Sequence, residues 1–382
     1  MDSINVENIK KYNKIGILTY PLVKSSFTPL INLVSILNKS SCFLCLIAPY
    51  QEESNSYFQN IEATKMISFK FTFKRSLLLN LFSYLFLQLR LSFYIFHNNC
   101  DYWFFFISET YILPLITAKI LRKKIFLVLG NNLIKEAKIK KYPLLSLFYF
   151  IRNLSLFLCN KIIIYSPGLI SELKIEKYIG KKICIAPEHF INTNIFRIVK
   201  PFGKRKQCVG FIGRFSEEKG VSNLLHAIPL LNFEHNLTFF IVGEGHLEKE
   251  IKEFVKNNDL SCKIKVCNWI KHDKLPLLLN SLKLLILPSY SEGLPNILLE
   301  SMSCGTPVLA TPVGAIPDII KDGETGFIME DNSPECIAQN IIRVLNHPGL
   351  EQIAQNARAL VEREFTFEKA VERYEKIVNC KW

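Results

Sequence analysis

ILPSYSEGLPNILLESMSCGTPVLATPVGAIPDII, residues 286–320, is the stretch whose reading decides the fold. An apolar strand ends at Pro288. A polar, glycine-containing loop follows. A helix is expected from near Pro295, because a missing N–H costs nothing in the first helical turn, and it is expected to stop by Gly305. A second strand, Pro307 to Ala310, comes straight after. Glu292 falls in the loop and Glu300 a little over a turn into the helix. The free N–H groups of the first turn and the helix dipole form an anion site between these two carboxylates. A phosphate held there would have a carboxylate on either side to take hydroxyl groups, a geometry that suits a nucleotide-sugar.

The same alternation extends outward. Towards the C-terminus the strand segments are QCVGFIGRF (207–215), LTFFIVGEG (237–245), CKIKVCNW (262–269), KLLILPS (283–289) and GFIM (326–329). Between them lie helical patterns such as VSNLLHAIPLL (221–231), HLEKEIKEFVKN (246–257) and KLPLLLNSL (274–282), and two or three helices close the chain. Towards the N-terminus KIGILTY (14–20), CFLCLIAP (42–49), KMISFKFTF (65–73), YWFFFI (102–107), KIFLVLG (124–130), IIIYS (162–166) and KICIAP (182–187) are strand segments. TPLINLVSILNK (28–39), YILPLITAKILRK (111–123) and LISELKIEKYI (169–179) have helical spacing. Such alternation means α/β architecture, parallel sheets with helices on both faces. A chain of 382 residues is too long for one ordinary core. The division falls at the Pro-, Gly- and Lys/Arg-containing stretch 194–207, giving domains 1–200 and 201–365 and a closing segment 366–382.

Apolar residues make up 49% of the chain, 29 of them Phe, so disorder is excluded. Eleven cysteines, scattered through apolar runs, fit buried thiols in a reducing compartment. The alternative for Cys42 and Cys45, metal or redox chemistry, lacks a second pair. The polar first residues carry no apolar core, so no signal peptide is expected. Residues 1–200 hold 26 Lys and Arg against 11 Asp and Glu, and residues 201–382 hold 21 against 23. The basic half implies an anionic surface as partner, membrane or nucleic acid, unless the charge is merely solubilising. It also holds two long apolar segments, Ser76–Phe96 and Tyr142–Cys159, each with basic residues just before it and an arginine inside, Arg90 or Arg152. A central charge argues against spanning a membrane. Helices lying in a membrane interface and ordinary core helices are the two readings left open.

In doubly wound sheets ligands bind beyond the carboxyl ends of the strands. The residues there in the second half are Gly213, Arg214 and Lys219; Gly243, Glu244 and Gly245; Asn268, Trp269 and Ile270; and the loop containing Glu292, Gly293, Leu294, Pro295 and Asn296. Two cations, tight glycine turns and a helix N-terminus converge on one cleft edge and suit a diphosphate, arginine as a fork and lysine as a point charge. Taken singly, each cation is an ordinary surface residue. Neither half has a Gly-rich dinucleotide fingerprint or a Walker loop.

GFIGRFSEEKG, FFIVGEG, the 286–320 run and DGETGFI together resemble the C-terminal half of the retaining glycosyltransferases of family 4, which have the GT-B fold of two Rossmann-like doubly wound domains facing a central cleft. The match covers roughly residues 209–327. The resemblance implies that Arg214 and Lys219 hold the diphosphate and stabilise the leaving group. It implies that Glu292 contacts the donor sugar, Glu300 the ribose, the Gly293–Asn296 backbone the phosphates or sugar, and Asn268–Ile270 the base. It also implies that the closing helix crosses back to the first domain. The first half matches only in its pattern of elements. It lacks the family's glycine-rich first turn, and KIFLVLGNN stands where many members carry a histidine. On the acceptor side Glu109, Asn131 and His189 follow strands and are candidates to face the cleft; each is otherwise an ordinary loop residue.

The function expected is transfer of a sugar, with retention, from a nucleotide diphosphate sugar to a lipid-linked or membrane-proximal glycan acceptor, at the cytoplasmic face of a membrane. The nucleotide-sugar is a co-substrate. No cofactor and no metal are expected, since Asp-x-Asp is absent from the sequence. A catalytically silent nucleotide-sugar-binding subunit is the main alternative. A phosphorylase-like activity also fits. Nucleic-acid binding is disfavoured by the lack of any basic–aromatic motif.

Overall fold

IFLVL and YWFFF are apolar at every position rather than every other one, so the strands they form must be covered on both faces. The computed structural model describes residues 13–22, 27–51, 61–73, 76–130, 133–135, 144–231 and 237–380. Its first sheet holds β1 (Lys14–Thr19), β2 (Phe43–Tyr50), β3 (Lys65–Lys70), β4 (Tyr102–Phe106), β5 (Lys124–Leu129), β6 (Lys161–Ile164) and β7 (Ile183–Ile185). The spatial order is β3-β2-β1-β4-β5-β6-β7, parallel throughout. Around it lie α1 (Phe27–Lys39), α2 (Leu77–His97), α3 (Ile112–Ile120), α4 (Leu145–Leu158) and α5 (Leu169–Glu172).

The second sheet holds β8 (Cys208–Ile212), β9 (Thr238–Val242), β10 (Ile264–Cys267), β11 (Leu284–Leu287), β12 (Val308–Ala310) and β13 (Phe327–Ile328). Its order is β10-β9-β8-β11-β12-β13, again parallel. This is the doubly wound order whose crevice opens where the chain reverses direction, between β8 and β11. Its helices are α6 (Val221–Ala227), α7 (Glu248–Asn257), α8 (Leu275–Ser281), α9 (Asn296–Ser303) and α10 (Ile316–Ile319). The chain closes with α11 (Pro334–Leu345), α12 (Leu350–Glu364) and α13 (Phe367–Val378).

Two expected helices are shorter than their patterns. Residues 169–179 break after α5, because Arg152 Nη2 takes the Leu173 carbonyl at 2.9 Å and Lys174 turns to φ +54°. A short 3₁₀ turn, Glu176–Tyr178, follows. In 221–231, Pro229 has no N–H to give, so α6 ends at Ala227 and a 3₁₀ turn finishes the segment.

The polar residues inside α2 also find their reason. Gln88 is buried, and its Oε1 accepts from the Leu113 N–H at the start of α3, at 3.0 Å. Arg90 lies over the Phe69 ring at 3.8 Å. Leu87, Leu91 and Ile95 face the core, while Leu78, Phe82, Phe86, Leu89, Phe93 and Phe96 are exposed. The stretch Leu78–His97 is long and apolar enough to cross a membrane, by length and composition. In the fold it is a helix with one face on the domain and an apolar face outward. The cysteines are free thiols, and Cys45 is buried against Cys100 rather than beside Cys42.

Helix α13 returns to the first sheet's side. Tyr374 is fully buried in the first core beside Phe104, with ring centroids 6.3 Å apart. Ser40 Oγ donates to Glu375 at 3.4 Å, and Arg373 donates to the Pro187 and His189 carbonyls at 3.2 Å each.

Candidate active site

The carboxyl ends of both sheets face one another. The Gly293 Cα lies so close to the Gly130 carbonyl, at the end of β5, that any Cβ would collide with it. The Gly168 N–H, after β6, donates to Asp318 at 2.8 Å, and the Gly314 N–H donates to Glu172 at 3.0 Å. The loops after β11 and β12 therefore rest on the loops after β5 and β6.

On the second-domain side, the turn after β8 carries Gly213, Arg214, Glu218 and Lys219. Gly220 closes it at φ +66°, with its Cα against the Pro288 carbonyl at the end of β11. A left-handed backbone and that close approach together require glycine. The packing brings Lys219 to Glu292: Nζ lies 2.7 Å from Oε1 and 2.8 Å from Oε2. Ser289 Oγ donates to Oε1 at 2.7 Å. Glu292 is 7% exposed. An ammonium has three N–H donors, so one remains for a ligand. Arg214 pairs with the buried Glu218 at 3.0 Å, but its own side chain is half exposed, so it can swing to an anion.

Helix α9 begins at Asn296 with Pro295 before it and no side-chain cap, which leaves its first N–H groups to face the loop. Glu300, buried one turn on, accepts from His272 Nε2 at 2.8 Å. The Glu300 bond holds the His272 imidazole above its usual value. Asn268 and Trp269 are exposed and Ile270 is half-buried in the loop before His272. Gly243 lies against the Gly213 carbonyl, so the β8 and β9 ends meet at two glycines. These residues all follow strands of the second sheet, at its carboxyl edge. Glu218, Ser289 and His272 were not picked out in the sequence. His272 had a legible signal, since it closes the same post-strand loop as Trp269.

The first-domain candidates are placed differently from one another. Asn131 lies outside the described residues. Glu109 is buried and accepts from Arg152 Nε at 3.1 Å. His189 is buried too. Its ring lies near the Leu294 backbone and edge-on to Tyr165, centroids 4.9 Å apart. Next to it Glu188 is fully buried, and the Tyr165 hydroxyl donates to its Oε1 at 2.6 Å. Burial pushes the Glu188 carboxyl up to about 8 and the His189 imidazole down to about 3. His189 is therefore a buried, neutral imidazole rather than an open cleft residue.

Residues 192–360 match the family described as glycosyl transferases group 1. An uncharacterized glycosyltransferase of Methanocaldococcus jannaschii is 32% identical over 168 residues, 44% of this chain and 46% of that protein. The N-acetyl-alpha-D-glucosaminyl L-malate synthase of Bacillus anthracis is 31% identical over 191 residues, 49% of this chain and 50% of that protein. The chain thus spans about half the length of the curated relatives it matches. The Anabaena protein HepE, solved in complex with UDP, superposes with a TM-score of 0.74 at 16% identity, covering 96% of this chain and 99% of that one. Sucrose-phosphate synthase of Thermosynechococcus elongatus gives 0.75 at 15% identity, covering 96% and 98%. At such identities the likeness shows the fold, which is GT-B.

The buried acid beside the loop has a measurable consequence. The folded protein keeps a proton on Glu188 up to about pH 8, whereas the unfolded chain loses it near about pH 4.3. Stability from this group is complete below the lower value and falls as pH rises through the higher one. His189 acts oppositely, its share being lost as pH falls from about 6.5 towards 3. Glu188→Gln keeps the acceptor for Tyr165 and removes the titration. Melting temperatures should fall less steeply between pH 5 and pH 8 for this variant; curves parallel over that window would contradict the assignment.

Proposed function

We propose that this chain is a retaining, family 4 glycosyltransferase that moves a sugar from a nucleotide diphosphate sugar to a lipid-linked or membrane-proximal glycan acceptor. The observation that carries the reading is the Lys219–Glu292 pair beside the uncapped start of α9, with Glu300 one turn further on. The match of residues 192–360 to glycosyl transferases group 1 supports the reaction class. HepE's complexes with UDP and with UDP-glucose support a nucleotide-sugar donor.

In this mechanism the donor diphosphate takes the α9 N–H groups, and Lys219 and Arg214 turn to its oxygens. Lys219 thereby releases Glu292 to the sugar hydroxyls, and His272 releases Glu300 to the ribose. The bond from the anomeric carbon to the phosphate oxygen breaks, and the acceptor oxygen bonds that carbon on the same face. The acceptor proton passes to the leaving phosphate. The charge developing on the diphosphate is met by two cations and helix dipoles fixed in advance, so the step runs without a metal.

A panel of UDP-, GDP- and ADP-sugars tests the donor half. One of them should raise the melting temperature by mass action, and nucleotide diphosphate should be released in the presence of EDTA. Lys219→Met and Glu292→Gln should each lower turnover on the order of 10²-fold or more. Binding without turnover would mark a silent subunit, and no stabilising nucleotide-sugar would sink the reading.

The outward face of α2 and the exposed Leu147, Phe150 and Phe157 of α4, with α3 between the two helices, support a site on the cytoplasmic face of a membrane. Interfacial helices bind through buried apolar area plus attraction to anionic lipid. Unmodified protein should sediment with anionic vesicles, while Phe82→Ser/Phe86→Ser should lose most of that binding with its melting temperature kept. Equal sedimentation of both proteins would refute the surface.

A further inference from the structure

A second pocket lies in the first domain. It measures about 510 Å³ and opens between α4, the short helical segment at Lys135 and the turn after α5. Arg152 forms part of its wall and is only 3% exposed. Its Nε bonds Glu109 and its Nη2 bonds the Leu173 carbonyl, which leaves Nη1 without a hydrogen bond among the described residues. A guanidinium so buried ordinarily uses every donor. Lys174 and Lys177 also line the pocket. Lys174 sits at φ +54°, a conformation costly for a residue with a side chain and one that collects at functional sites.

Two carboxylates share the lining. Glu172 is engaged by the Gly314 N–H and by Lys135 at 3.8 Å, and Glu176 lies on the exposed rim. Through Glu172 and Gly314 the pocket reaches the second domain, since Gly314 packs on the Glu292 and Gly293 carbonyls. Its other edge is α4. That helix gives Tyr149, Arg152 and Asn153 to the pocket and presents Leu147 and Phe150 to solvent. A cationic pocket thus runs directly into an apolar surface.

We propose that this pocket holds the phosphate of the acceptor's lipid carrier, with Arg152, Lys174 and Lys177 on the phosphate and the apolar chain leaving along the exposed face of α4. The proposal rests on the glycosyltransferase reading and narrows its acceptor to a lipid phosphate. It is tested on the full chain by titration calorimetry with decyl phosphate below its micellar concentration, decanol, inorganic phosphate and, separately, UDP. Lys174→Ala/Lys177→Ala changes two exposed lysines. It should weaken decyl phosphate at least tenfold while UDP affinity stays the same, and decanol and inorganic phosphate should each bind at least tenfold more weakly than decyl phosphate to the unmodified protein. Equal affinity of the variant and the unmodified protein for decyl phosphate would overturn the site. Inorganic phosphate binding as tightly as decyl phosphate would overturn the lipid source. Decyl phosphate bound by the unmodified protein and lost by the double variant, with UDP bound by neither, would leave this pocket standing and remove the donor reading instead.

Discussion

A carboxylate buried at the end of a parallel strand needs a cation, and the second domain is arranged around meeting that need. Glu292 receives both its ion-pair contacts from Lys219, across 73 residues of sequence. Breaking such a pair strands a charge at a cost of about 3–5 kcal/mol. The geometry therefore fixes the β8 turn on the β11 loop, and Gly220 permits the approach. The pair is also chemically unfinished. Lys219 keeps one donor, the start of α9 has no side-chain cap, and Glu300 is held by a histidine with an exposed side chain. An arrangement stable when empty but able to exchange each partner for a ligand atom suits a nucleotide-sugar site.

The second constraint is contact between the domains. The loop carrying Glu292 rests on the Gly130 carbonyl, and the loop after β12 is tied to the first domain by Glu172 and Asp318. The returning helix α13 braces the same place, because Arg373 holds the carbonyls on either side of Glu188. Motion of one domain on the other would therefore be felt directly at the Glu292 loop.

The fold was legible because strand-forming runs such as IFLVL and LLIL are continuous and short, and the helical runs between them are periodic. The rule that ligands meet strand ends put Gly213, Lys219, Asn268 and Glu292 along one edge, and the structure places them there. Partnerships were not legible. Nothing local in GFIGRFSEEKG says that Lys219 will meet Glu292, and nothing local in NILLES says that Glu300 will meet His272. Helix ends depart from the sequence pattern where distant groups intervene: LISELKIEKYI is a sound helical pattern until Arg152 claims the Leu173 carbonyl. His189 follows a strand as an open cleft residue would, yet Tyr165 and the Leu294 loop cover it. Such burial comes from interdomain packing, which a single segment does not record.

The central claim is that the Lys219–Glu292 pair and the start of α9 form a nucleoside-diphosphate site. A crystal structure with UDP bound tests it most directly. The account predicts the diphosphate at the Asn296 turn, Lys219 within hydrogen-bond distance of a phosphate oxygen, and the ribose hydroxyls on Glu300 with His272 displaced. A nucleotide bound elsewhere, with Lys219 and His272 still on their glutamates, would contradict it.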